Sequence, residues 1–202
     1  MRYYMFNKPV GCVTARRDAR HKTVMDYFPE EDRDILFPVG RLDRDTVGLL
    51  LVTDDGMLCL NLMRPETHVT KTYLFAAKGE MSDDNVTRLE GGIKISSVGE
   101  SLTMPAELEI IKRATLGEIP EYLNEENRRI AASRPDLPAF VGRLTITEGK
   151  KHQVKRMIRH FGAKVIYLKR ENIGGVPLDE SLAEGEYRPL TEEEIDRLKC
   201  RK

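Results

Sequence analysis

The apolar residues of this chain fall into short runs separated by turn signals, the pattern of a sheet protein with intervening helices. Leu49 to Val52 is a continuous apolar run too short for anything but a core strand or a helix fragment, and Asp55-Gly56 closes it with a turn signal. Tyr3 to Asn7 and Cys12 to Ala15 read as short strands on either side of the turn Lys8-Pro9-Val10-Gly11. Lys71 to Ala77 alternates with a period of two, which sets Lys71, Tyr73 and Phe75 on one face of a strand. Further strands are expected near Ile93 to Ser96, Ala106 to Ile111, Arg143 to Thr147 and Ala163 to Leu168.

Helices are marked by spacing and by their ends. Met57 to Met63 reads as a short helix stopped by Pro65, and Ser82 can cap one that runs to about Glu90, where Gly91-Gly92 ends it. From Gly149 to Phe161 the apolar residues Val154, Met157, Ile158 and Phe161 recur at helical spacing, and Gly162 follows as a stop. Lys155 falls on the border of that apolar face, where its stem can cover apolar surface and its ammonium can reach into a cleft. Arg156, Arg159 and His152 fall on the solvent side. Thr191 and Glu194 form a capping box that starts a helix from Glu192 to Lys199. Residues 112–140 are highly charged, carry Pro120, Pro135 and Pro138, and read as an insertion with a helix near Pro120 to Ser133. Alternating short strands and helices predict a mixed α/β (α+β) sheet domain spanning 1–202.

A length of 202 residues with 40% hydrophobic content supports one domain or two tightly joined halves. The apolar runs fall far short of a membrane span, and the start Met1-Arg2-Tyr3-Tyr4-Met5-Phe6-Asn7-Lys8-Pro9 lacks a signal peptide's pattern, so a cytoplasmic protein is expected. Cys12, Cys59 and Cys200 fit neither a disulfide framework nor a zinc cluster, and the four histidines, His21, His68, His152 and His160, read as polar surface or substrate contacts and not as metal ligands. No metal or cofactor is expected, because there is no phosphate-binding glycine loop or dinucleotide fingerprint. The net charge is zero, yet charge is segregated. Lys150 to Arg170 holds eight Lys or Arg and no acid, whereas Glu171 to Leu198 holds nine acids and two arginines. Such a basic segment can supply a local field for phosphates.

The candidate chemistry centres on Gly40-Arg41-Leu42-Asp43-Arg44, just before the apolar strand. A carboxylate between Arg41 and Arg44 is expected to stay ionised, as a nucleophile must. A glycosidase-like pair of Asp43 with Asp45 is the weaker reading, since acids so close in sequence usually serve a loop.

These blocks together resemble the RsuA-like branch of the RNA pseudouridine synthases. The likeness runs through Phe6-Asn7-Lys8-Pro9-Val10-Gly11, Gly40-Arg41-Leu42-Asp43, Thr46, Gly48 to Gly56, Lys71-Thr72-Tyr73 and Glu148-Gly149-Lys150-Lys151-His152-Gln153-Val154-Lys155-Arg156-Met157. It continues in Leu168-Lys169-Arg170, Ile173-Gly174 and Gly185-Glu186-Tyr187-Arg188. The resemblance implies an α/β domain around a mixed, largely antiparallel sheet flanked by helices, with an active-site cleft between its halves. It assigns the nucleophile to Asp43, a uracil-pocket residue to Tyr73 and the nucleophile's cationic partner to Lys155. It implies isomerisation of a uridine flipped out of its helix, because the target atom is inaccessible in a stack.

Candidate RNA contacts are Arg41, Arg44, Arg16, Arg17, Arg20, Lys71, Lys151, His152, Arg156 and Arg159. Many relatives carry a basic RNA-binding domain of the S4 type ahead of the Lys-Pro-x-Gly block, which is not found in this sequence. The expected partner of this monomer is ribosomal RNA, free or within a subunit or assembly intermediate. The block from His152 to Met157 is more similar to the small-subunit enzyme, and large-subunit RNA is the second candidate. The rival reading is a non-catalytic rRNA-binding or assembly factor with the same fold.

Overall fold

The computed structural model describes residues 1–95 and 102–199. In chain order the strands are β1 (Tyr3–Lys8), β2 (Phe37–Pro38), β3 (Val47–Thr53), β4 (Lys71–Lys78), β5 (Glu107–Thr115), β6 (Pro138–Ile146), β7 (Lys164–Ile173), β8 (Val176–Pro177) and β9 (Tyr187–Pro189). The helices are α1 (Glu30–Arg33), α2 (Gly56–Met63), α3 (Asp83–Glu90), α4 (Glu125–Ser133), α5 (Gln153–His160) and α6 (Glu192–Lys199). The chain divides into two compact units, one built from residues 1–71 and 169–202 and the other from 72–168.

In the first unit the strands follow the order β7-β3-β1-β9, with β2 also on β3 and β8 on β7. β1 runs antiparallel to β3 with Lys8 opposite Gly48, and β7 joins β3 in parallel at Val47↔Lys169 and Gly48↔Arg170. β3 is buried at every position, as its unbroken apolar sequence requires. Gly48 has a φ of +96°, and a Cβ there would stand 2.4 Å from the carbonyl of Arg170, so this position accepts no side chain. Met5, Leu49, Leu51, Leu58, Leu62, Val176 and Leu198 form the core of this unit. An aromatic group of Tyr4, Phe6, Phe28 and Tyr187 packs edge to face and stacked, with Phe28 and Tyr187 centroids 4.3 Å apart.

Two helices of this unit, α2 and α6, are capped as local rules demand. The Asp55 carboxylate accepts the Leu58 amide at 3.0 Å and the Tyr3 hydroxyl at 2.8 Å, starting α2. At α6, the Glu194 amide donates to Thr191 Oγ1 and the Thr191 amide donates back to Glu194, completing the expected capping box. Arg188 bonds both Glu194 oxygens and, through Nε, Asp179 at 2.7 Å. Hydrogen bonds from Ser181, then Arg188, hold the Asp179 carboxyl down from 3.8 to about 2. A depressed carboxylate stabilises fully above the ordinary pKa and loses that contribution as pH falls through the folded value. Asp179→Asn is therefore expected to flatten the loss of stability between about pH 4 and 2, measured by urea unfolding at stepped pH. An unchanged acid limb would remove Asp179 from the account.

The second unit orders its strands β5-β6-β4-β7. β5 and β6 are antiparallel with a bulge between Ile110 and Lys112. Lys112 to Thr115 and Pro138 to Val141 pair with each other at the ends of these strands, so the charged segment is continuous with the sheet and its connection narrows to residues 116–137. Two 3-10 turns and α4 fill that connection, placing Leu116, Ile119 and Leu123 against Ala76, Ala139 and Val141. The helix expected from Pro120 begins only at Glu125, where Asn124 caps it by accepting the Asn127 amide at 2.9 Å. α3 starts on Ser82, which accepts from Asn85, and runs to Glu90 as its sequence predicts.

Three further expectations change. Cys12 to Ala15 is not a strand, because Val13 meets Thr23 in an isolated bridge without continuing the ladder. Near Ile93 the described residues hold a single bridge, Lys94↔Leu102, while Ser96 lies outside the described residues, as does Cys200. The helix expected from Gly149 starts at Gln153, since His152 adopts a left-handed conformation with φ of 53°. Among the described residues no helix is long and apolar enough to cross a membrane.

Candidate active site

In the first unit the loop carrying Asp43 is tied to the framework on both flanks. Thr14 Oγ1 donates to the Leu42 carbonyl at 2.8 Å and accepts the Leu42 amide at 3.1 Å, while Leu42 itself is buried. The Gly11 amide donates to the Arg44 carbonyl at 2.8 Å, and the Thr46 amide to that of Asp43 at 3.1 Å. The turn that follows β1 therefore grips the Asp43 loop through main-chain groups, four residues before β3 begins.

Beneath this loop lies a cation that the sequence pattern did not single out. Lys8, at the end of β1, is 0% exposed, and its ammonium donates to the carbonyls of Thr46 at 2.8 Å, Pro9 at 3.0 Å and Arg44 at 3.5 Å. Burial pushes its pKa below the ordinary lysine value, opposed first by Cys12 and then by the carboxylates of Asp45, Asp43 and Glu184. Asp43 is half-buried, whereas Arg41, Arg44 and Asp45 are exposed. The Lys8 ammonium thus lies within Coulombic reach of the Asp43 carboxylate.

A second internal cation, Arg170, is 3% exposed and donates from Nε to the Leu49 carbonyl at 2.8 Å, fastening β7 to β3. Its Nη2, like Thr46 Oγ1, has no hydrogen-bond partner among the described residues. Lys8 and Arg170 both sit in blocks that carried the family resemblance, and that was the signal available for them. Lys71, expected as an RNA contact, is 7% exposed and gives its ammonium to the Val69 carbonyl at 3.1 Å.

The remaining basic residues of the first unit stand in an exposed loop. Arg16 and Arg17 both reach Asp34, Arg16 to its main-chain carbonyl and Arg17 to its carboxylate. The Arg20 amide, with that of His21, donates to Asp18, which lowers the Asp18 pKa.

The second unit supplies the other two expected catalytic side chains. Tyr73 lies on β4 and is 8% exposed, on the same buried alternation as Phe75. Its neighbour Thr72 shares a hydrogen bond of 2.9 Å with Thr145 across the sheet, which fixes β4 against β6. α5 buries Val154, Met157 and Ile158, and leaves Lys155 half-exposed at the edge of that face, as the spacing predicts. Arg156 is also half-exposed, while Lys151, His152 and Arg159 face solvent.

The turn that leads into α5 is organised by Gln153, another residue without an expected role. Gln153 is buried, accepts the Lys150 amide at 2.8 Å, and donates to Glu148 at 2.7 Å. Glu148 in turn pairs with Lys150 at 2.9 Å and accepts the Met104 amide. A polar knot therefore sets the left-handed turn at His152 and the start of the helix that carries Lys155. Among the described residues no group of three or more His, Cys, Asp or Glu side chains is placed to hold a metal ion.

Residues 2–160 match the family described as RNA pseudouridylate synthase. An RNA pseudouridine synthase of Bacillus subtilis is 44% identical over 197 residues, covering 97% of this chain and 72% of that protein. Ribosomal small subunit pseudouridine synthase A of Escherichia coli is 41% identical over 194 residues, covering 96% and 72%. A crystal structure of a pseudouridylate synthase superposes with a TM-score of 0.80 at 38% identity, covering 98% of this chain and 73% of that one. An archaeal Nop10–Cbf5 complex structure shares the fold, with a TM-score of 0.59 at 17% identity, covering 91% of this chain and 51% of that one. With the sheet, the anchored acidic loop and these likenesses in agreement, the chain belongs to the RNA pseudouridylate synthase family and is an isomerase.

Proposed function

We propose that this enzyme converts a specific uridine of ribosomal RNA to pseudouridine, with small-subunit 16S RNA the favoured substrate and large-subunit 23S RNA the second. The observation that carries the substrate is the 41% identity, over 96% of the chain, to proteins named ribosomal small subunit pseudouridine synthase A. The reaction breaks the bond between uracil N1 and ribose C1′ and joins C5 to C1′. The C5 proton leaves and N1 gains one, so atoms and electrons balance without an added reactant.

In this reading Asp43 is the nucleophile, attacking C1′ or C6, and Lys155 is its cationic partner. Tyr73 stacks on the base, and its hydroxyl takes part in removing the C5 proton. What supports Asp43 is its loop: the Gly11 amide, Thr14 Oγ1 and the Lys8 ammonium bond the main-chain carbonyls of Arg44, Leu42 and Thr46 on either side of it. Such preorganisation places a reacting group before substrate arrives, which lowers the entropic part of the barrier. Arg41, Arg44, Arg16, Arg17, Arg20, Lys151, His152, Arg156 and Arg159 supply contacts to the RNA backbone, which offset the cost of flipping the uridine. The protein acts as a cytoplasmic monomer on free RNA, a subunit or an assembly intermediate.

The test is tritium release from RNA labelled at uridine C5, using 16S and 23S transcripts in parallel. Release from 16S RNA is expected. Release from 23S RNA alone would overturn the substrate assignment, and none from either, free or in particles, would leave the rRNA-binding reading in its place.

A further inference from the structure

The loop from Arg16 to Lys22 borders a recess of about 290 Å³ of mixed charge, lined by Thr23, by the arginines 16, 17 and 33, and by Asp18, Asp26, Glu30 and Asp34. Its inner half is committed to the fold. Thr23 donates its amide and hydroxyl to Asp26 at 2.7 and 3.2 Å, and Arg33 donates to the carbonyls of Phe28 and Asp26. The outer half is different. Two arginines adjacent in sequence converge on one residue, with Arg16 on the Asp34 carbonyl and Arg17 on its carboxylate at 2.6 Å.

We propose that Asp34 occupies Arg16 and Arg17 as an intramolecular stand-in for an RNA phosphate, and that substrate RNA displaces it. Asp34 offers Arg17 a charged carboxylate oxygen, as a phosphodiester would, and offers Arg16 only its neutral main-chain carbonyl, which a phosphate oxygen outcompetes. The Arg17–Asp34 pair is 85% and 74% exposed, so solvent screens it and it holds little net free energy. A phosphate in a polyanionic strand also releases counterions when an arginine takes it, a gain that a lone carboxylate lacks. The exchange is therefore downhill for RNA held in register by other contacts. For RNA that touches this loop alone, it costs the Asp34 contact and wins one or two phosphates. Asp34 thus acts against indiscriminate binding, as an acid set beside a basic patch does.

This inference rests on the reading of the chain as an enzyme acting on RNA, and the experiment separates the two. Fluorescence anisotropy with a short single-stranded RNA is measured across a salt series for the intact chain, Asp34→Asn, Arg17→Ala and the double variant. Asp34→Asn is expected to tighten binding by roughly two- to fivefold at low salt, the range an exposed ion pair allows, with the gain fading as salt rises. In the Arg17→Ala background the gain should vanish. Equal or weaker binding by Asp34→Asn, while the unaltered chain binds RNA, would overturn the proposal. So would a gain toward inorganic phosphate without one toward RNA. Absence of both RNA binding and tritium release in the unaltered chain would instead remove the functional reading, and this inference with it.

Discussion

Asp43→Asn is expected to reduce tritium release by at least about a thousandfold while changing RNA affinity by less than about twofold. The amide matches the carboxylate in size and keeps hydrogen-bonding capacity, but it is neutral and a poor nucleophile. The loop should not move, because the Thr46 amide bonds the Asp43 main-chain carbonyl, and the Gly11 and Thr14 contacts are made to Arg44 and Leu42. In the proposed reading binding rests on other residues, chiefly the arginines of the exposed loops. A single-turnover assay beside an anisotropy titration separates the two effects. Retained turnover in this variant would withdraw the nucleophile from position 43, and lost affinity would recast Asp43 as a structural residue.

Lys8→Met is expected to cost about 2–4 kcal/mol of stability, because it strands buried carbonyls that a charged donor now satisfies. For a chain of this size that corresponds to a fall in Tm on the order of 5–15 °C. Methionine fills much the same volume, so the loss reports the ammonium and not a cavity. Turnover measured well below the new Tm should also fall, with kcat reduced more than KM is raised. The reason is geometric: Lys8 joins the carbonyls of Pro9, Arg44 and Thr46 into one rigid base for the loop. An unchanged Tm would contradict the hydrogen bonds, while a lower Tm with unchanged kcat would confine Lys8 to the fold.

What could be read from the sequence was local. Thr191 and Glu194 start α6 because a capping box involves only four consecutive positions. β3 declared itself through unbroken apolar residues, and α5 through the spacing of Val154, Met157 and Ile158. The start of α5 was hidden, since the left-handed His152 depends on the Gln153–Glu148 knot and not on any breaker residue. The burial of Lys8 and Arg170 was equally invisible. Each charge is tolerated inside only because carbonyls far along the chain accept its protons, at Thr46 for Lys8 and at Leu49 for Arg170. The burial of Lys71 was hidden for the same reason: an alternating strand pattern says which face a lysine shares, not whether a carbonyl at Val69 waits for it. β9 is three residues long and exists by pairing with β1, so no periodicity could announce it.

The discontinuous make-up of the first unit bears on how the polypeptide is synthesised. Residues 1–71 cannot complete their core until Ile173, Val176 and Leu198 have been translated, whereas 72–168 form an uninterrupted stretch. A nascent chain must therefore hold β1 and β3, with the loop for Asp43, through about a hundred further codons at a pace of roughly 5–20 residues per second. Until then the apolar face of β1 and β3 is covered only in part, by Leu58, Leu62 and their neighbours, and the tether from Lys199 to the Tyr3 hydroxyl at 2.9 Å is among the last links to close.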